Sequence, residues 1–118
     1  QRQMCIRDRL QRGQDVLREF KFSILADGRI LQEDLTGEKL LLQGVVDCCF
    51  MEEDGITVLD FKTDRVRPGG EAAAAARYGG QIQTYGQALS RIFGKPVKKL
   101  LLYFFQTGKL QEVPWSKA

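Results

Sequence analysis

Residues 44–63 read GVVDCCFMEEDGITVLDFKT, two apolar runs joined by the polar turn Glu52-Glu53-Asp54-Gly55. The first run reaches back to Lys39 and is apolar enough for a mostly buried strand. The second, Ile56 to Thr63, is rich in β-branched residues. The short turn between them predicts a hairpin. Three charged residues interrupt the pattern: Asp47 in the first strand, and Asp60 and Lys62 in the second. A charge on a buried strand is costly unless it is paired or bound to metal, and such a cost usually marks function.

Spacing sharpens the point. Asp60 and Lys62 are two apart and share a face. A turn of two or four residues near Glu53 to Gly55 sets Asp47 opposite either Asp60 or Lys62, and opposed residues share a face. The three side chains then converge, whereas a one-residue slip would scatter them. Two carboxylates at such range repel each other. A divalent cation relieves this, and oxygen ligands suit Mg²⁺, or alternatively Mn²⁺. Asp47 and Asp60 are therefore the candidate metal ligands. The cation would polarise a phosphodiester oxygen and activate a water. Lys62 would orient that water or stabilise charge developing on phosphorus. The competing reading is an ordinary ion-pair triad on a solvent-facing side of the sheet. The D-x-K spacing alone is weak; Asp47 a hairpin away, with Gly44 three residues before it, adds weight to chemistry.

On the N-terminal side, Glu19 to Asp27 alternates and reads as a strand, with a turn at Asp27-Gly28. Ile30 to Leu35 is expected to pair back as a further strand. On the C-terminal side, Asp64 to Gly70 is a loop containing Pro68-Gly69-Gly70. Glu71 to Phe93 has helical spacing through Tyr78, Ile82, Tyr85, Leu89 and Ile92. Gly79-Gly80 weakens that helix locally, and Gly94 followed by Pro96 stops it. Val97 to Phe105 is a strongly apolar strand, and Leu110 to Val113 follows a turn. The order β-β-β-β-α-β-β predicts an α/β domain on a mixed sheet. Gln81 and Tyr85 lie four apart on one face of the helix. Gln81 suits hydrogen bonding to a phosphate or base, and Tyr85 suits stacking on a base or reaching a phosphate. Tyr78 and Ile82 read as core.

Composition narrows the chemistry. The 118 residues are 43% hydrophobic and carry a net charge of +3, enough for one modest core and mildly suited to a polyanion. There is no histidine, which removes Ser-His-Asp triads and most zinc hydrolase schemes. The three cysteines, Cys5, Cys48 and Cys49, form no CxxC, which argues against zinc or iron–sulfur binding. Adjacent strand residues point apart, so Cys48 and Cys49 should not bridge. A reducing cytoplasm is the natural setting, and no membrane span or signal peptide is visible. Residues 1–9 (QRQMCIRDR) look unlike the rest. They read either as an artefactual leader of the kind found in sequences assembled from environmental DNA, or as a charged helix start. The domain reading begins at residue 10.

Gly44-Val45-Val46-Asp47, then Asp60-Phe61-Lys62-Thr63, then Gln81-x-x-x-Tyr85 resemble the successive motifs of the PD-(D/E)xK nucleases of the RecB type. Within them, Arg18-Glu19-Phe20-x-Phe22 and Arg77 to Tyr85 resemble segments of the AddA branch, the nuclease domain of bacterial helicase–nuclease complexes. The likeness runs from about Arg18 to Val113. It implies a restriction-endonuclease-like mixed sheet flanked by helix. It also implies Asp47 and Asp60 as metal ligands, Lys62 as the catalytic lysine, and Gln81 and Tyr85 as the pair that organises the site and contacts DNA. The implied reaction is Mg²⁺-dependent hydrolysis of DNA, as an exonuclease. It would follow ATP-driven unwinding by a parent helicase that works with an AddB-like partner in recombinational repair of double-strand breaks. Such domains usually add a His or Glu from an upstream helix, and this chain has no His. Glu19 could supply a carboxylate but reads better as a surface residue at a strand end. No GxxxxGK[ST] loop is present, so the chain reads as a truncated nuclease domain, residues 10–118, of a larger protein. The alternatives are a non-catalytic DNA-binding or scaffold domain that keeps the fold, and an unrelated α/β interaction module.

Overall fold

The computed structural model describes residues 16–30, 33–63, 65–67 and 69–116. Residues 1–9 lie outside these, as do Asp64 and Pro68 of the expected loop. Five strands and one long helix follow one another: β1 (Val16–Asp27), β2 (Lys39–Glu52), β3 (Gly55–Lys62), α1 (Glu71–Phe93), β4 (Val97–Phe104) and β5 (Lys109–Val113). They form one sheet in the order β1-β2-β3-β4-β5. Only β3 and β4 run parallel, and α1 is their crossover; the other neighbours are antiparallel. This is the α/β mixed sheet flanked by helix that the sequence predicts.

The strand expected over Ile30 to Leu35 does not form in its described residues, Leu31 and Gln32 lying outside them. Two short 3₁₀ turns, Gly28–Ile30 and Glu33–Leu35, stand in its place. The Asp27 carboxylate accepts the Arg29 N–H at 2.9 Å and the Gly37 N–H at 3.1 Å, and Gly28 N–H donates to Glu38 at 2.7 Å. These bonds close the connection on itself, so β1 pairs directly with β2, from Asp27↔Lys39 to Val16↔Phe50. The sheet therefore has five strands where the sequence suggested six.

Helix α1 packs on one face of the sheet, burying Val46, Val58, Ile82, Leu89, Leu100 and Leu102 in one cluster. A smaller cluster of Cys48, Phe50, Leu59 and Leu101 lies on the opposite face. Cys48 and Cys49 thus fall in different clusters and are unbridged, as adjacent strand residues must. Burial pushes the Cys49 thiol up to about 11, which leaves it a core group rather than a nucleophile. The helix runs unbroken through Gly79-Gly80, because packing against β4 and β5 overrides local propensity. Gly86 permits that approach: a Cβ there would meet Trp115 at 2.8 Å and Leu100 at 3.0 Å. Among the described residues no helix is long and apolar enough to cross a membrane.

The alternation of faces is not constant along β1 and β2. Phe20, Phe22, Ile24 and Ala26 face the helix, yet so does Leu17, while Val16 faces away. In β2, Leu42 and Val46 face the helix, and then Cys49 does. Both strands shift by one residue at the same level, where Glu19 adopts φ +49° and the Glu19/Asp47 position is missing from an otherwise regular ladder. A period-two reading cannot anticipate this step. It falls at Asp47.

Candidate active site where β2 and β3 part

The hairpin turns through Glu53-Asp54, with Glu52 opposite Gly55 and Cys48 opposite Leu59. That register, carried one residue further, sets Asp47 across from Asp60. Of the two partners the sequence left open, Asp60 is the one found. The backbone ladder stops at the Cys48–Leu59 pair. Beyond it the Asp47 side chain takes over as acceptor: Oδ2 receives the Phe61 N–H at 2.8 Å. β3 stays fixed on its other side through Phe61↔Tyr103, Lys62↔Phe104 and the Phe105 N–H donated to the Lys62 carbonyl at 3.0 Å. A gap opens between β2 and β3, and both carboxyl groups sit at it.

Lys62 completes the group. Its Nζ lies 2.8 Å from Asp60 Oδ2 and donates to Gln81 Oε1 at 3.2 Å. The same amine stands 4.2 Å from the centroid of the Tyr78 ring. The side chains of Lys62 and Asp60 are only 14% and 9% exposed, so this charge pair acts in a medium of reduced dielectric. Asp60 titrates accordingly. Burial, and then a hydrogen bond with the Asp47 carboxyl, raise its pKa to about 6 against the opposing pull of Lys62. Asp60 is the acid that takes up a proton as pH falls towards that value, and a bound cation would relieve the facing acids in the proton's place.

Tyr85 approaches from α1, one turn beyond Gln81. Its hydroxyl lies in the field of Asp60, Lys62 and Asp47, and burial followed by both acids raises its pKa. Its ring packs edge-on against Phe22, with centroids 5.5 Å apart, and closes over Gly44. A Cβ at position 44 would meet Tyr85 Cε1 at 2.7 Å.

The structure thus brings Asp47, Asp60, Lys62 and Gln81 into contact, with Tyr85 beside them. Tyr78 was assigned to the core from the sequence; it packs there, but it also forms the platform under Lys62. Its position three residues before Gln81, on the same face, was the available signal. An open cleft of about 360 Å³, lined by Arg18, Glu19, Asp47, Cys48 and Phe61, leads to Asp47. Glu19 is exposed and borders this cleft.

The donor chemistry fits a hard divalent cation. Mg²⁺ commonly binds through one or two carboxylates and keeps several waters. Among the described residues no third His, Cys, Asp or Glu completes a metal cluster.

A PD-(D/E)XK nuclease superfamily model matches residues 2–116, and the chain belongs to that superfamily. Such nucleases generally use divalent metals. More particularly, the chain is similar to the A subunit of the ATP-dependent helicase/nuclease. It is 40% identical to that protein of Desulforudis audaxviator over 99 residues, covering 81% of this chain and 8% of the relative. It is 41% identical to that of Acetivibrio thermocellus over 107 residues, covering 86% of this chain and 9% of the relative. The chain therefore spans less than a tenth of the length of these relatives. A solved structure, that of SSO0001, superposes with a TM-score of 0.59 over 98% of this chain and 50% of its own, at 15% identity. At that identity the likeness speaks for the fold alone.

Proposed function

We propose that this chain is the catalytic portion of a Mg²⁺-dependent deoxyribonuclease, acting as an exonuclease. Its parent would be an ATP-driven helicase that resects broken DNA ends for recombinational repair in the cytoplasm. The observation that carries the reading is the facing pair Asp47 and Asp60 with Lys62 Nζ 2.8 Å from one of them. In this reading residues 10–118 are a nuclease domain, and the parent works beside an AddB-like partner. The similarity to the A subunit of the helicase/nuclease supports that pairing.

Asp47 and Asp60 would hold the metal, with Mn²⁺ an acceptable substitute. When bound, the cation supplies Lewis acidity toward the phosphodiester and lowers the pKa of a water. Asp47 also fixes the end of β3 by accepting the Phe61 N–H, so the two carboxyls keep their spacing. Lys62, whose Nζ lies 2.8 Å from Asp60 Oδ2, would orient the attacking water or stabilise charge on the phosphoryl oxygens. Gln81 holds that amine through its carbonyl and keeps its amide N–H groups for a phosphate. Tyr85 braces the start of the site by packing on Phe22 over Gly44.

The test is hydrolysis of linear duplex and single-stranded DNA by the purified chain with Mg²⁺, Mn²⁺ or EDTA. Metal-dependent cleavage that disappears in Asp60→Ala and Lys62→Ala supports the proposal. Cleavage that survives both substitutions would refute the assigned roles.

A further inference from the structure

We infer that Arg65 and Arg67, on the loop leaving β3 just past Lys62, form a phosphate-binding site that grips the DNA strand beside the carboxylate pair. The inference rests on the nuclease reading above and adds to it where the substrate backbone is held.

Three attachments fix this loop. Val66 is only 7% exposed and is part of the helix-side core, so it anchors the segment from within. Its N–H donates to Gln106 Oε1 at 2.5 Å. The Arg67 carbonyl accepts the Gly70 N–H at 2.7 Å, closing a turn in which Gly69 takes φ +77°, a conformation that favours glycine. Arg65 and Arg67 flank the buried Val66 and are both exposed. With the residue between them turned into the core, the two guanidinium groups are directed to solvent.

Among the described residues neither arginine makes an ion pair or a side-chain hydrogen bond. Elsewhere the fold neutralises an exposed cation readily: Lys98 lies 3.2 Å from both Glu52 and Asp54. Arg77, also exposed, stands with its guanidinium carbon 5.6 Å from the Tyr78 ring that carries Lys62 on it. Two exposed guanidinium groups on a loop that begins just past Lys62 match a polyanion whose backbone must be drawn toward the facing acids. The planar guanidinium pairs with phosphate oxygens in bidentate fashion and loses little freedom when its loop is already fixed.

The experiment is fluorescence anisotropy of a labelled single-stranded oligonucleotide with the full chain. Ca²⁺ replaces Mg²⁺ to hold back turnover, and the salt concentration is varied. Cleavage with Mg²⁺ is followed in parallel. Arg65→Ala/Arg67→Ala should weaken binding several-fold and flatten the salt dependence of log K by about 0.7 for each phosphate no longer neutralised. Arg65→Lys/Arg67→Lys should keep the slope while losing part of the affinity. Both side chains are exposed, so the melting temperature should not move, and a thermal melt checks this. If the alanine pair binds with unchanged affinity and slope while the native chain binds and cleaves, this inference is overturned and the nuclease reading stands. If the native chain neither binds nor cleaves DNA, both fall.

Discussion

The carboxyl groups of Asp47 and Asp60 meet across β2 and β3 at the level where those strands stop exchanging backbone hydrogen bonds. The parting of the strands makes room for the two acids, and Asp47 repairs the ladder by accepting the Phe61 N–H at 2.8 Å. A structural liability and a functional device therefore coincide: two like charges are held close, one of them buried, with Lys62 against Asp60.

Stability should record this arrangement. The Asp60 pKa is raised from 3.8 to about 6, chiefly by burial and then by Asp47. An acid held above its unfolded pKa contributes stability that is complete below the unfolded value and is lost as pH rises through the folded one. In EDTA the chain should thus lose on the order of 2 kcal/mol between about pH 4 and pH 6 from this group. Asp60→Asn should flatten that part of the profile. Urea melts at several pH values read the effect, and a profile identical in the two proteins would show that Asp60 is not strained.

The Lys62 amine lies against the acidic pair, 2.8 Å from Asp60 Oδ2. Lys62→Met should reduce DNA cleavage roughly 10²–10³-fold, the scale seen when one preorganised donor to the reacting group is removed. Folding should survive, because Asp60, no longer held down by the Lys62 amine, keeps its proton more readily. Single-turnover rates with circular dichroism separate the two effects; a rate within a few-fold of native would take Lys62 out of the chemistry.

Tyr78 holds the lysine from beneath, with Nζ 4.2 Å from its ring centroid. Tyr78→Phe keeps the ring and should cut at close to the native rate. Tyr78→Leu removes about 1 kcal/mol of cation–π attraction and should slow cleavage by roughly five-fold. Equal rates for the two variants would mean that the ring serves only the core.

Gly44 is where Tyr85 closes on the sheet. A Cβ there would come within 2.7 Å of Tyr85 and 3.0 Å of Phe22, both side-chain neighbours in a packed cluster. Gly44→Ala should cost about 1–3 kcal/mol by overpacking and push Tyr85 away from the sheet. A lowered melting temperature with impaired cleavage is expected. Full activity at unchanged stability would show that the helix gives way freely.

Much of this architecture was legible in the residues. Asp60 and Lys62 sit two apart on a β-branched strand, so their shared face followed from the pleat, and the Glu53-Asp54 turn fixed their partner as Asp47. Helix α1 came through with its bounds at Glu71 and Phe93, since a caps-and-period pattern of that length is hard to override. The segment after Asp27 misled because the Asp27-Gly28 turn reads as a hairpin with an apolar return in Ile30 to Leu35. A side-chain carboxylate binding Arg29 and Gly37 is a long-range closure that periodicity does not encode. The shift of faces at Glu19 and Asp47 was hidden for the same reason, being a property of two strands together. Tyr78 escaped as a site residue because one ring can be core on one side and a cation's platform on the other.

Calorimetric titration of Mn²⁺ into the native chain, Asp47→Asn and Asp60→Asn at neutral pH probes the acidic pair itself, independently of any DNA. Saturable binding by the native chain, with release of protons and loss of binding in both variants, is the expected result. Equal Mn²⁺ affinity in all three proteins, or none in the native chain, would contradict a metal centre built on these two carboxylates.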